Sequence, residues 1–146
     1  MAGTTILALN RSMQTTMEWL KTIQDELGWE DEDRVYNAVK AVLHTLRDRM
    51  PVEESAKFAA QLPMMMLGIY YDQYNPTVQP TKLRTREDFL EEIRNKFPDP
   101  SFSPEESIRG VMRGIERRIG RDSTEKIALN FPENIRDLVQ GEFVRC

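Results

Sequence analysis

Apolar residues recur along this chain at intervals of three and four, and proline, glycine and acidic residues break the pattern into segments. That period predicts amphipathic helices from end to end. Ser12 marks a start for a first helix in which Met17, Leu20, Ile23 and Leu27 form the apolar stripe and Gly28 supplies the stop. The acidic run Glu30-Asp31-Glu32-Asp33 precedes a longer stripe of Val35, Val39, Val42, Leu46 and Met50, with carboxylates placed at the positive end of the helix dipole. Pro51 opens a third helix through Ala56, Phe58, Ala59 and Leu62, and Pro63 opens a fourth from Met64 to about Tyr74.

The period lapses between Asn75 and Thr85, where Pro76 and Pro80 sit among small polar residues. It resumes with Phe89, Leu90, Ile93 and Phe97. Ser103-Pro104-Glu105-Glu106 then combines an N-cap, a first-turn proline and a capping glutamate ahead of Ile108, Val111, Met112, Ile115 and Ile119. Asp122-Ser123-Thr124-Glu125 starts a seventh helix and Pro132 an eighth, which Gly141 ends. No alternating β-branched run is long enough for a strand.

The second half repeats the first. Trp19 to Ile23 aligns with Phe89 to Ile93, and Val39, Val42, Leu46 and Met50 align with Ile108, Val111, Ile115 and Ile119. Lys57 to Pro63 aligns with Lys126 to Pro132, and the register slips by a single residue within one loop. Apolar positions match while surface charges do not, as expected for a duplicated core. The expected fold is therefore all-α: about eight short helices in two tandem four-helix repeats, packed as one globule. The divisions are an N-terminal arm over 1–14, repeats over 15–74 and 86–146, and a proline-containing connector over 75–85.

Composition bounds function only loosely. The 146 residues are 40% hydrophobic and 30% charged with a formal charge of -4, which suits a globular protein and weakly repels nucleic acid and anionic membranes. No apolar run can span a bilayer, and Met1 to Leu9 lacks the basic start of a signal peptide. Cys146 is the one cysteine, so an internal disulfide is not expected, in keeping with a cytoplasmic location. His44 is the one histidine. It lies off the Val39, Val42, Leu46 stripe, and Ala41 stands where a helical di-metal site would place a glutamate. A structural histidine is the expectation, with no catalytic, metal or cofactor site.

Two surfaces are candidates for binding. Met64, Met65, Tyr70, Tyr71 and Tyr74 form a nearly all-apolar helix that either fills the core between the halves or presents an adaptable surface to a protein partner or a second copy. Arg109, Arg113, Arg117 and Arg121, four apart with Arg118 beside them, make a row suited to a phosphate, carboxylate or nucleic acid, with a solvated helix face as the plainer reading. The expected function is a non-enzymatic interaction or self-association module; the alternative is anion or nucleic-acid binding through the Arg row.

Three blocks carry a family resemblance: Ala41-Val42-Leu43-His44-Thr45-Leu46-Arg47-Asp48-Arg49-Met50-Pro51, Ala59-Ala60-Gln61-Leu62-Pro63 and Gly68-Ile69-Tyr70-Tyr71. Together they resemble the family catalogued as domain of unknown function 2267, over about Met17 to Gly141. The resemblance implies a bacterial, helical, cytosolic protein and assigns no activity, cofactor or site residue.

Overall fold

The computed structural model describes residues 5–141, so Met1 to Thr4 and Cys146 lie outside the described residues. Eight helices form within that span: α1 (Leu7–Leu27), α2 (Glu32–Arg49), α3 (Val52–Ala59), α4 (Met64–Tyr71), α5 (Arg86–Lys96), α6 (Pro104–Ile119), α7 (Arg121–Ala128) and α8 (Glu133–Val139). The described residues include no strand. The local signals act as their chemistry requires. The Asp31 side chain accepts from the amides of Asp33 and Arg34, Thr85 from Asp88 and Ser103 from Glu106, each satisfying first-turn N–H groups that have no helical partner. Gly28 takes a left-handed φ of 72° and closes α1 by donating to Gln24 O.

Two helices form the centre. From Ala41 to Asp48, α2 is buried all the way round, and α6 is buried over most of Ser107 to Ile115. The main packing partner of α1 is α6, not its own neighbour α2, and α5 lies against both α2 and α6. The first half therefore lends a helix to the second, and one apolar cluster draws on both. Gly110 and Gly114 make the α1–α6 contact close. A Cβ built on Gly114 would stand 2.7 Å from Ile23 Cα, and one on Gly110 would stand 2.2 Å from Leu27 Cδ2.

α1 departs most from the sequence pattern. It begins at Leu7 with no side-chain cap, so Ser12 is not its N-cap and residues 7–14 are its first two turns rather than an arm. Its inward face is Thr16, Trp19 and Ile23, whereas Met17 is 52% exposed. α7 likewise begins at Arg121 with no side-chain cap, and Thr124 is buried with its hydroxyl donating to Glu116 and Arg121 O.

The connector is seated on the end of α2. The Gln79 amide donates to Arg47 O (2.8 Å) and Met50 O (2.9 Å), Thr81 N to Asp48 O (2.7 Å), and Arg49 Nε to Leu83 O (2.7 Å). The bonds from Gln79 and Thr81 satisfy the last carbonyls of a helix whose end is buried, and Arg49 returns one to the connector.

Candidate functional site

The buried stretch of α2 carries four polar side chains: Thr45 donates back to Ala41 O, while His44 and Arg47, the latter braced by Asp48, hold α4 in place. His44 Nε2 lies 2.7 Å from Ile69 O. Arg47 Nη1 donates to Tyr70 O (2.7 Å) and Asp72 O (2.9 Å), while its Nε and Nη2 donate to the two carboxylate oxygens of Asp48. The end of α4 has no further helical turn to use its carbonyls, and α2 supplies the donors instead.

This contact fixes the state of His44. A neutral imidazole donates from Nε2 to Ile69 O and leaves Nδ1 as an acceptor. Burial lowers the imidazole pKa below its ordinary 6.5, the Ile69 carbonyl works against that, and Arg47, Lys40 and Lys96 add to the lowering. The unfolded chain therefore takes up this proton first as the pH falls. The His44 contribution to stability is complete above about pH 6.5 and is lost as pH falls through the folded-state pKa. Urea titrations between pH 7 and 5 should show a smaller loss of stability for His44→Gln than for the native chain; an equal loss would place the acid sensitivity elsewhere.

Of the five residues expected to form a Met/Tyr surface, Met64 and Met65 are exposed, Tyr71 and Tyr74 are half-buried, and Tyr70 is fully buried. The Tyr70 hydroxyl bonds Ser55 Oγ at 2.6 Å, its ring meets Phe58 edge-on, and burial raises its pKa. It is a core residue, not part of a partner surface. The tyrosine end of α4 is occupied by the grip of α2, and only its first turn is open.

The Arg row is likewise built into the fold. Arg109 is buried, with Nη2 2.7 Å from Asp137 and 3.4 Å from Glu105, and Arg86 bonds the same two carboxylates. Hydrogen bonding from Arg86 holds Glu105 below its usual pKa. Burial pushes Asp137 up, but Arg86 and Arg109 outweigh it and leave Asp137 lowered. Arg113 and Arg117 share the Glu26 carboxylate of α1 (3.1 Å each), Arg118 donates to Thr22 Oγ1 and Glu18 O, and Arg121 pairs with Glu125. Arg109, Arg113 and Arg117 tie α6 to α1 and α8, whereas Arg121 begins α7 and, like Arg117, keeps its side chain more than half exposed.

The clefts follow the same division. One of 590 Å³ at the start of α6 is lined by Arg94, Ser101, Phe102, Glu105 and Arg109; Arg94 pairs with Glu91 and Arg109 Nη2 with Glu105 and Asp137, while buried Arg109 Nη1 has no hydrogen-bond partner. One of 410 Å³ beside His44 is lined by Lys40, Arg47, Asp48 and Lys96, with Lys40 paired to Asp72 and Lys96 to Glu92. Among the described residues no group of three or more His, Cys, Asp or Glu is arranged to hold a metal ion.

A third cleft measures 490 Å³ and runs between α1 and α2, where the apolar Met17, Leu20, Val35 and Tyr36 line it together with the charged Glu18, Lys21, Glu32 and Asp33. Beside it lies a stripe that is not used in the fold. Ile6 (56% exposed), Leu9 (44%), Met13 (40%) and Met17 (52%) continue into half-buried Leu20, and Tyr36 is 40% exposed. At about 100° per residue this stripe lies roughly a quarter turn round from Thr16, Trp19 and Ile23. The signal was present in the sequence as Ile6, Leu9, Met13, Met17 and Leu20 at steps of three and four. A start at Ser12 cut it in half, and its remainder passed for core.

An all-helical bundle with a buried polar centre and, among the described residues, an exposed apolar face on α1 defines the class. The family model described as "Uncharacterized conserved protein (DUF2267)" matches residues 16–138, and the chain belongs to that family. The first and third resemblance blocks meet in space, since His44 and Arg47 of the first grip the carbonyls of Ile69 and Tyr70 in the third. The comparison with curated proteins gives no match. No helix among the described residues is long and apolar enough to cross a membrane.

Proposed function

We propose that the chain is a non-enzymatic protein-interaction module whose docking face is the outer face of α1 together with the adjoining α1–α2 cleft. One observation carries this reading: four apolar side chains, Ile6, Leu9, Met13 and Met17, lie in a single exposed row beside that cleft. Scattered exposed apolar residues need no explanation, but a continuous row rimmed by polar residues marks an interaction site. Methionine suits such a face because its unbranched side chain adapts to a partner's shape. The proposal moves the docking face from the Met/Tyr helix, whose tyrosines are engaged internally, to α1. The Arg row supports no second reading, because Arg109 and Arg113 are paired inside the fold and the more exposed Arg117 and Arg121 are each paired with a glutamate.

A photo-cross-linking amino acid placed at Met13 in the source cell tests this. The expected result is a discrete protein adduct at residue 13, absent when the same group stands at Lys57 on the polar surface and removed by Leu9→Asp. Equal labelling at both positions, or none at residue 13, would overturn it.

A further inference from the structure

We infer that the occupant of this face is a second copy of the chain, with the two α1 helices packed antiparallel about a twofold axis at Met13. This rests on the interaction reading above and names the partner. The stripe is its own complement. In an antiparallel pair centred on residue 13, each residue i faces residue 26 − i of the other copy. Met13 then faces Met13, Leu9 faces Met17, and Ile6 faces Leu20, so each stripe position meets another stripe position. A twofold interface must satisfy this condition, with one patch complementary to itself.

Three further features agree with this register. The stripe from Ile6 to Leu20 spans about 21 Å at 1.5 Å per residue, about four helical turns, which is enough for helix-on-helix packing. Near its centre the border carries no charge: the residues flanking Met13 there are Asn10 and Gln14, and the first charge on that border is Lys21, beyond the Leu20 end. Interface centres are depleted of charge in this way, and a like charge facing itself across the axis would oppose pairing. Finally, the α1–α2 cleft lies beside Leu20 and Tyr36, where the Ile6 end of the other α1 arrives. The apolar wall of the cleft, Leu20, Val35 and Tyr36, thus meets the apolar helix start of the other copy across the axis.

The test uses the full chain carrying Cys146→Ser, so that only introduced thiols report. Sedimentation across a concentration series should give a dimer that Met13→Asp converts to a monomer with unchanged helical content. Met13→Cys alone should oxidise to a disulfide-linked dimer, and Leu9→Cys should link to Met17→Cys in a mixture in preference to linking to itself. A native chain that stays monomeric while residue 13 still gives a discrete adduct with another protein would overturn the pairing and leave the interaction reading standing. A monomer with no adduct would overturn both. A dimer that survives Met13→Asp, or thiol links without the 9-to-17 preference, would overturn the antiparallel register.

Discussion

Arg47→Ala is expected to destabilise the chain by about 3–5 kcal/mol, the range for breaking a buried ion pair by removing one partner. Arg47 is 3% exposed and holds both oxygens of Asp48, itself buried, together with the carbonyls of Tyr70 and Asp72. Alanine would leave the Asp48 carboxylate without its guanidinium and two carbonyls without these donors, at the mostly buried edge of the cleft beside His44. Arg47→Lys keeps the charge but cannot match the fork on Asp48 and reach α4 at the same time, so it should recover only part of the loss. Chemical denaturation of the three proteins measures this. A loss below about 1 kcal/mol for alanine would mean that water reaches the site and that the pair behaves as a surface one.

The second large effect is predicted at Gly114. Alanine in mid-helix ordinarily gains about 1 kcal/mol over glycine, but here the new methyl would stand 2.7 Å from the backbone of Ile23, and overpacking costs about 1–3 kcal/mol. Backbone cannot swing aside as a side chain can, so Gly114→Ala should destabilise despite its better propensity. Gly110→Ala provides the contrast. Its closest neighbours are Leu27 Cδ2 and Cγ, the movable end of a half-buried side chain, so a smaller loss is expected there. Thermal melts that ranked the two variants in the opposite order would contradict the close seating of α1 on α6.

The parts of this fold that were legible in the sequence are those decided by local chemistry. Ser103 and Asp31 cap helices because their side-chain oxygens reach first-turn amides, and Gly28 ends one because it accepts a positive φ. Such signals need no knowledge of neighbours. The parts that escaped are those decided by which helix lies next to which. A valine stripe on α2 shows that one face is buried. It cannot show that the opposite face, with His44, Arg47 and Asp48, is buried too, because that burial is made by α4 and the connector.

The pairing of the Arg row was hidden for the same reason. Its spacing set a line of guanidinium groups, but Glu26 of α1 and Asp137 of α8, which take up three of them, are distant in sequence. On α1 the difficulty was that two apolar faces share one helix. Thr16, Trp19 and Ile23 build the fold, while Leu9, Met13 and Met17 remain uncovered, and periodicity does not distinguish a face that meets the core from one that meets a partner.

The methionines of the chain itself provide the most direct measurement of whether that second face is covered. Peroxide converts accessible methionine to its sulfoxide, and mass spectrometry reads the conversion residue by residue. In the dilute purified chain, exposed Met13, Met17, Met64 and Met65 should oxidise readily, while fully buried Met50, Met66 and Met112 resist. In the source cell, Met13 and Met17 should become as protected as the buried group while Met64 and Met65 stay reactive. Met13 and Met17 oxidising in the cell as fast as Met64 and Met65 would contradict a docking face on α1.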